Sequence, residues 1–356
     1  PLSTALHRKR HPTERIQPLD NFKNKSILIT GGTGSFGSAL MSFLKNKNFK
    51  EVRIFSRDEL KQDEMRNRLN NPNVKFYLGD VRSRESIDLA MKGIDLVFHA
   101  AALKQVPSCE FFPMEAVNTN VIGSHNVIQS AVAHNVKRVV CLSTDKAVAP
   151  VNVMGMTKAL MEKTAASIAR RLTDKDTIVA VLRYGNVMNS RGSVIPVFIK
   201  QILEKKPITV TVPNMTRFLL PLQDAIELLD FTLTHAQQGE LFIRKSPACV
   251  IIDLAQALKN IFQANVPIKF IGIRHGEKIH ETIATAEELR KTEDMGDYYR
   301  IRMDDRDLNY NIYLNTGDKK KTDLEDYSSD RGPLMKVAEI EKLLLSIPEI
   351  QAQLKT

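Results

Sequence analysis

The 356-residue chain has no tryptophan, only three cysteines and 6% aromatic residues. Cys109, Cys141 and Cys249 show no pairing pattern and no zinc-type spacing, which excludes a disulfide-stapled scaffold. Cys141 falls in an apolar run that reads as a buried strand, as in a protein of a reducing compartment. No apolar run approaches the ~20 residues that span a bilayer. The first twenty residues lack the apolar core of a secretory signal. A cytoplasmic protein with no membrane insertion is expected. The eight histidines have no ligand spacing, so no metal is expected either. Repeats and low-complexity tracts are absent.

What is present is charge, with a net +10 at neutral pH. Lys and Arg are scattered, with short clusters only at Arg8-Lys9-Arg10 and Lys319-Lys320-Lys321. No nucleic-acid module accompanies them, so nucleic acid is not an expected partner. A site for phosphorylated small molecules accounts for part of the excess. With 43% hydrophobic and 26% charged residues, the chain has the composition of a folded protein with a large core.

After a polar, basic stretch at 1–20, expected to be a flexible extension, a strand–helix rhythm begins. Strands are expected at Ser26–Thr30, Glu51–Phe55, Val74–Leu78, Leu96–Ala100, Arg138–Leu142 and Ile178–Leu182, with a first helix starting over Ala39–Leu44. Alternation of this kind predicts an α/β fold, a Rossmann doubly wound parallel sheet. Beyond about residue 190, Pro196, Pro207, Pro213 and Pro221 cut the chain into short pieces, as in a smaller interleaved substrate-binding domain. The expected organisation is a dinucleotide-binding domain over 21–190, rejoined by segments at about 215–245. A mainly substrate-binding domain follows over 191–316, then a linker and C-terminal helix over 317–356. That helix, from about Met335, carries Val337, Ile340, Leu343, Leu344 and Ile347 at helical spacing. Its stripe needs cover, either from a neighbouring subunit or from its own chain.

Gly31, Gly34 and Gly37, with Thr33, Ser35 and Phe36 among them, separate the first strand from the first helix. Glycines there permit the tight turn, let backbone approach a pyrophosphate and seat the helix near the sheet. The helix N-terminus adds N–H groups and partial positive charge for phosphates. After the second strand, enzymes that use NAD carry a carboxylate for the ribose. Here Ser56-Arg57 stand, with Lys61 one turn on, which suits the 2′-phosphate of NADP. Asp58 and Glu59 are carboxylates that keep NAD open, and a solvated loop of mixed charge is the other alternative. Asp80-Val81 lie where an adenine would sit, and Ala100-Ala101 let the chain pass beneath the cofactor.

Ser143-Thr144-Asp145-Lys146 closes the fifth expected strand. Met154 and Lys158 follow at i,i+4 spacing, which puts both on one helix face. Many nicotinamide enzymes have Tyr and Lys at this spacing. A thioether has no proton to exchange, so the usual base is missing while the acid–base pair Asp145/Lys146 stands nearby.

Several motifs together resemble one family. They are Thr30–Gly37, His99-Ala100-Ala101-Ala102-Leu103-Lys104, Ser143-Thr144-Asp145-Lys146 and Arg183-Tyr184-Gly185-Asn186-Val187. They are similar to the extended short-chain dehydrogenase/reductases that act on nucleotide sugars. Ser56-Arg57-Asp58-Glu59 and Arg274-His275-Gly276-Glu277-Lys278 narrow the resemblance to the inverting UDP-N-acetylglucosamine 4,6-dehydratases. Met154 resembles the capsule and O-antigen subgroup. The resemblance runs from about Asn24 to the C-terminus.

It implies oxidation of the sugar at C4, loss of the C5 proton and 6-hydroxyl as water, and reduction at C6, with C5 reprotonated from the opposite face. Lys146 resembles the C5 base and Asp145 the acid for the 6-hydroxyl. The base role calls for a Lys pKa depressed by burial and by cations such as Lys158. Lys146, Thr144 or a water held by Lys158 remain alternatives for taking the 4-hydroxyl proton. Lys158 is also expected on the nicotinamide ribose. By the same resemblance the substrate is UDP-N-acetylglucosamine, met by Lys104, Asn186, Ser193, Val194, Phe198, Arg274 and Glu277. A homo-oligomer, a hexamer, is implied too. The rival readings are a nucleotide-sugar 4-epimerase and a non-catalytic NADP-binding sensor.

Overall fold

The computed structural model describes residues 21–190, 192–304 and 324–354. The expected extension at 1–20 and the stretch 317–323 of the expected linker lie outside these.

Among the described residues sixteen strands are numbered in chain order: β1 Ser26–Thr30, β2 Glu51–Ser56, β3 Val74–Leu78, β4 Leu96–His99, β5 Arg138–Leu142, β6 Ile178–Arg183, β7 Asn186–Val187 and β8 Ile208–Val210. The remainder are β9 Thr216–Leu220, β10 Leu241–Arg244, β11 Ala248–Val250, β12 Ile268–Phe270, β13 Thr282–Ala284, β14 Thr292–Asp294, β15 Tyr298–Ile301 and β16 Tyr327–Ser328. A nine-stranded sheet runs β14-β15-β10-β6-β5-β4-β1-β2-β3. From β10 to β3 every neighbouring pair is parallel, and β15 and β14 add an antiparallel edge.

The apolar runs form strands because helices cover both faces of the sheet. In β1 all five residues are buried. Ile27 and Ile29 face one core, packed against Leu40 and Leu44 of the helix Ser35–Leu44. Leu28 faces the other, with Ile87, Val127 and Val139. This is the two-residue alternation of a pleated strand with a core on each side. The strand order reverses between β1 and β4, which opens a crevice at their carboxyl ends.

The first helix begins at Ser35, four residues before the expected start. Glycines hide its beginning in the sequence, yet Gly37 lies within the helix, and only glycine fits there because a Cβ would lie 2.2 Å from the Gly32 carbonyl oxygen. β4 ends at His99 and β6 extends to Arg183, shifts of one residue.

The region after 190 builds a smaller unit. Strands β7, β9 and β11 form one small sheet and β8 with β12 another. The helices Val194–Leu203 and Ile251–Ile261 pack around their own apolar core. Within 215–245, β9 belongs to this unit, whereas the helix Leu222–His235 packs on the helix Ser35–Leu44 and β10 joins the large sheet. β14 and β15 carry the return to the large sheet further along the chain than the expected segment.

The C-terminal helix, Val337–Leu345, starts two residues after Met335. Its Ile340 and Leu344 are fully buried, with Ile350 of the next helix, in the core of the smaller unit. The helix lies on Ile251–Ile261, so its own chain supplies the cover. This removes the physical motive for that stripe to reach a neighbour. Part of the expected linker is also ordered differently: Tyr327–Ser328 is a strand paired antiparallel with β13. No helix among the described residues is long and apolar enough to cross a membrane.

Candidate active site

A cleft of about 660 Å³ opens at the carboxyl ends of β1, β2, β4 and β5. Its walls include Gly31, Thr33, Gly34, Ser35 and Phe36 from the first turn, and Ser56, Arg57 and Lys61 after β2. Asp80, Val81, Ala100, Ala101, Lys104, Thr144, Lys146, Met154, Lys158, Asn186 and Ser193 complete the expected residues along it. Gly37 lies behind the wall. Gly31 has φ +66°, and a Cβ on it would lie 2.7 Å from the Ala101 nitrogen. Gly34 is the N-cap of the helix Ser35–Leu44 and makes no side-chain cap. A glycine turn feeding such a helix start fits a dinucleotide pyrophosphate.

At the far end, Arg57 Nη1 lies 3.4 Å from Asp80 Oδ2, and Lys61 is ion-paired with Asp58. Burial alone would raise the Asp80 pKa, but hydrogen bonds from Arg82 and the charges of Arg57 and Arg82 hold it below the ordinary value. Ser56 is buried and its Oγ accepts from Gln62 Nε2 at 3.1 Å.

A second cavity of about 330 Å³ adjoins the first. Val194, Phe198, Arg274 and Glu277 line it, and Lys146, Asn186 and Ser193 line both. Phe198 is 1% exposed, so it forms the back wall. His275 lies on the rim, 3.4 Å from Glu110.

At the junction, Asp145 is fully buried and its Oδ1 lies 3.0 Å from Lys146 Nζ. Thr144 Oγ1 donates to the same oxygen at 2.9 Å. Asp145 Oδ2 is buried with no hydrogen-bond partner among the described residues. Lys146 Nζ also meets Glu281 Oε1 at 3.2 Å and donates to Asn186 Oδ1 at 3.5 Å. The expected depression of the Lys146 pKa is overturned. Burial does lower it, but the charges of Asp145 and Glu281 outweigh burial and raise it above the ordinary lysine value.

The depressed lysine is Lys158. Burial lowers its pKa to about 8, and its Nζ donates to the Leu142 carbonyl at 2.6 Å. Met154, one turn earlier, is 5% exposed and packs with Cys109 and Ala116. His99 is a core residue, bonded to Thr30 Oγ1 at 2.7 Å and Ser124 Oγ at 2.8 Å. Its pKa is pushed down to about 3 by burial.

Two residues at the junction had no signal in the sequence. Glu281 and Arg217 lie far from the Asp145/Lys146 motif along the chain and reach it only through the fold. Arg217 is buried and donates to the backbone oxygens of Thr216, Ile279 and Lys278 at 2.7, 3.0 and 2.8 Å.

Fold and cleft define a doubly wound Rossmann protein with a cleft at the point where the strand order reverses. Two family models match the chain: polysaccharide biosynthesis protein over residues 27–303, and its C-terminal counterpart over 304–351. The chain belongs to the polysaccharide biosynthesis protein family. It is 55% identical over 338 residues, 94% of this chain and 99% of the relative, to a Rickettsia bellii (strain RML369-C) protein named UDP-glucose 4-epimerase. A Rickettsia felis protein of that name is 54% identical over the same shares. Among solved structures, Pen from Bacillus thuringiensis superimposes with TM-score 0.82 at 36% identity, covering 92% of this chain and 99% of that one. The dTDP-glucose 4,6-dehydratase DesIV of Streptomyces venezuelae, with NAD and TYD bound, shares the fold at TM-score 0.64 and 20% identity, over 71% and 86% of the chains.

Proposed function

We propose that the protein is an NADP-dependent UDP-N-acetylglucosamine 4,6-dehydratase that inverts C5. Its product would be a UDP-2-acetamido-2,6-dideoxy-4-keto-L-hexose, made in the cytoplasm for capsule or O-antigen synthesis. The observation that carries this is the Asp145–Lys146 pair at the junction of the two cavities, beside Met154 where a phenol would stand.

In this reading Gly31, Thr33, Gly34, Ser35 and Phe36 hold the cofactor pyrophosphate and Gly37 seats the helix behind it. Ser56, Arg57 and Lys61 take the 2′-phosphate, Asp80 and Val81 flank the adenine, and Ala100-Ala101 leave room below. Lys158 binds the nicotinamide ribose. When bound, NADP supplies a hydride acceptor and then a hydride donor. Arg274, Lys104 and Asn186 face the sugar diphosphate, where a guanidinium pairs well with phosphate. Ser193, Val194, Phe198 and Glu277 shape the uracil end.

A proton moved from Lys146 Nζ to Asp145 Oδ1 along their hydrogen bond leaves a neutral amine beside a neutral acid. The amine then accepts the C5 proton, which the C4 ketone acidifies. The acid protonates the departing 6-hydroxyl, and water leaves. Both groups return to ammonium and carboxylate, so the pair closes its own proton cycle. Thr144 or a water on Lys158 would accept the 4-hydroxyl proton, or Lys146 would and pass it on before it meets C5; that proton balances the one added to C5 on the opposite face as hydride reaches C6.

The second reading, a 4-epimerase, rests on the name carried by the Rickettsia relatives. There C4 would be oxidised and reduced on the other face with no loss of water. Incubation with UDP-N-acetylglucosamine, followed by NMR, separates the two. A C6 methyl signal is expected. A C4-inverted sugar without a C6 methyl, from this substrate or from UDP-glucose, would establish the epimerase. No turnover at all would favour a sensor. A homo-oligomer, by resemblance a hexamer, is part of the proposal. Its physical support is the exposed apolar group Phe111, Phe112, Met114, Met156 and Leu160, and light scattering measures the mass.

A further inference from the structure

We infer that Glu281 is a positioning residue for Lys146, presented to it by the chain beyond residue 324 through Ser329. Glu281 is 2% exposed and lies on the wall of the smaller cavity. Its Oε1 is 3.2 Å from Lys146 Nζ. Its Oε2 is buried with no hydrogen bond among the described residues. A carboxylate kept only for packing has its oxygens satisfied by donors. Among the described residues its shortest ion pair is with the lysine at the junction of the cavities, while Lys278 Nζ stands 4.0 Å from Oε2, beyond hydrogen-bond range.

The backbone around Glu281 is fixed from two sides. Its N–H donates to Ser329 Oγ at 3.0 Å, and its carbonyl accepts from the Ser329 N–H at 2.8 Å. Thr216 Oγ1 joins the same serine hydroxyl at 2.6 Å. Arg217, on β9, ties down the carbonyls of Lys278 and Ile279 just ahead. Its guanidinium stays 3.7 Å from Glu281 Oε1, outside hydrogen-bond range.

The groups facing Lys146 are therefore Asp145 from its own turn, Asn186 from β7, Arg217 from β9, and Lys278 and Glu281 from the segment before β13. Two cations and two carboxylates share the space. With both carboxylates present, Nζ is drawn to a point between them and holds its proton. Without Glu281 it pairs with Asp145 alone, facing two cations. Glu281 thus fixes where the amine stands and how readily it gives up its proton. The C-terminal segment thereby becomes part of the reaction site through Ser329.

This deepens the reading of Lys146 as a base, but it can be tested without substrate. Full-length protein is labelled with acetic anhydride over a pH series. Acetylation of Lys146 is followed by peptide mass spectrometry, with exposed Lys200 as reference. The wild-type half-point for Lys146 is expected above the ordinary lysine value of ~10.4. A wild-type half-point at or below that value overturns the inference with no variant needed. In Glu281→Gln the half-point is expected to fall by about one pH unit or more, the size of one lost charge partner. In Ser329→Ala it is expected to move the same way by less. An unchanged half-point in a folded Glu281→Gln protein refutes the role. With UDP-N-acetylglucosamine, the ascending limb of the pH–rate profile should move to lower pH in the same variant. If the wild type gives no 6-deoxy product, the proposed reaction fails, while the labelling still decides the role of Glu281.

Discussion

Arg183 on β6 and Glu162 on the helix Val153–Ala169 meet at two points, Nε to Oε1 at 3.0 Å and Nη2 to Oε2 at 2.5 Å. Both side chains are buried. Glu288 closes the other side of the guanidinium at 2.8 and 2.9 Å, and Ser143 Oγ donates to Glu162 Oε1 at 2.5 Å. One network thus joins the helix that carries Met154 and Lys158 to the strand end that carries Asp145 and Lys146. It fixes the distance between the two halves of the candidate site.

Breaking that pair should be costly. Glu162→Ala leaves a guanidinium buried with one of its two carboxylate partners gone. Loss of one member of a buried pair costs about 3–5 kcal/mol. Denaturant unfolding of the variant against wild type checks this. A loss below about 1 kcal/mol would mean that Glu288 and water compensate, and that the network is not what aligns the site.

Lys158 gives a pH signature with a definite sign. Burial lowers its folded pKa to about 8, against ~10.4 in an unfolded chain. Between those values the unfolded state holds the proton and the folded state has released it. Stability of the ligand-free protein should therefore rise with pH through this window on account of Lys158. Below it the ammonium is buried in the fold at a cost. Lys158→Met should be more stable at pH 7, by about 1–3 kcal/mol, and should lack that rise. The same variant should bind NADP more weakly. Urea melts at several pH values and a cofactor titration test both halves. Equal pH slopes in the two proteins would show that the lysine does not titrate in this range.

Arg57→Ala should weaken NADP by roughly tenfold or more, the worth of a charge-assisted contact of about 1.5–3 kcal/mol. NAD, with no 2′-phosphate, should lose little. Arg57 and Lys61 already have Asp80 and Asp58 as partners in this structure. A phosphate must therefore compete with those carboxylates, and selectivity should fall as salt rises. Calorimetric titration with both cofactors measures the ratio. Equal losses for NADP and NAD would remove Arg57 from the selection.

The sheet was legible because parallel strands covered on both faces are short apolar runs between turns. The bounds of β1, β3 and β5 fall where Ser26–Thr30, Val74–Leu78 and Arg138–Leu142 place them. Met154 and Lys158 were legible as a pair because helical spacing alone puts them on one wall. The start of the first helix was not, since Ser35-Phe36-Gly37 reads as turn until packing against Gly32 is known. Nor was the charge state of Lys146. It depends on Glu281, which only the fold brings near. The stripe at Ile340 and Leu344 was clear as a pattern, but a pattern does not say which surface covers it; here it is the helix Ile251–Ile261.

Asp145→Asn tests the division of labour at the junction. The amide has nearly the same shape, so Thr144 and Lys146 keep a partner at that position. It cannot take the lysine proton, however, nor hand one to a leaving hydroxyl. Oxidation at C4 does not need that acid, whereas loss of the 6-hydroxyl does. The variant mixed with UDP-N-acetylglucosamine should therefore build up reduced nicotinamide absorbance and a 4-keto sugar that keeps its 6-hydroxyl. Removing one carboxylate also lowers the proton affinity of Lys146, because only Glu281 then opposes Arg217 and Lys278. The C5 proton should still exchange with heavy water, and in Lys146→Ala that exchange should vanish while the cofactor still binds. A general acid of this kind contributes about 10²–10⁴-fold to a rate, so turnover should drop by that order. Normal turnover in Asp145→Asn would take the acid role away from this residue, and exchange surviving in Lys146→Ala would place the C5 base elsewhere in the cleft.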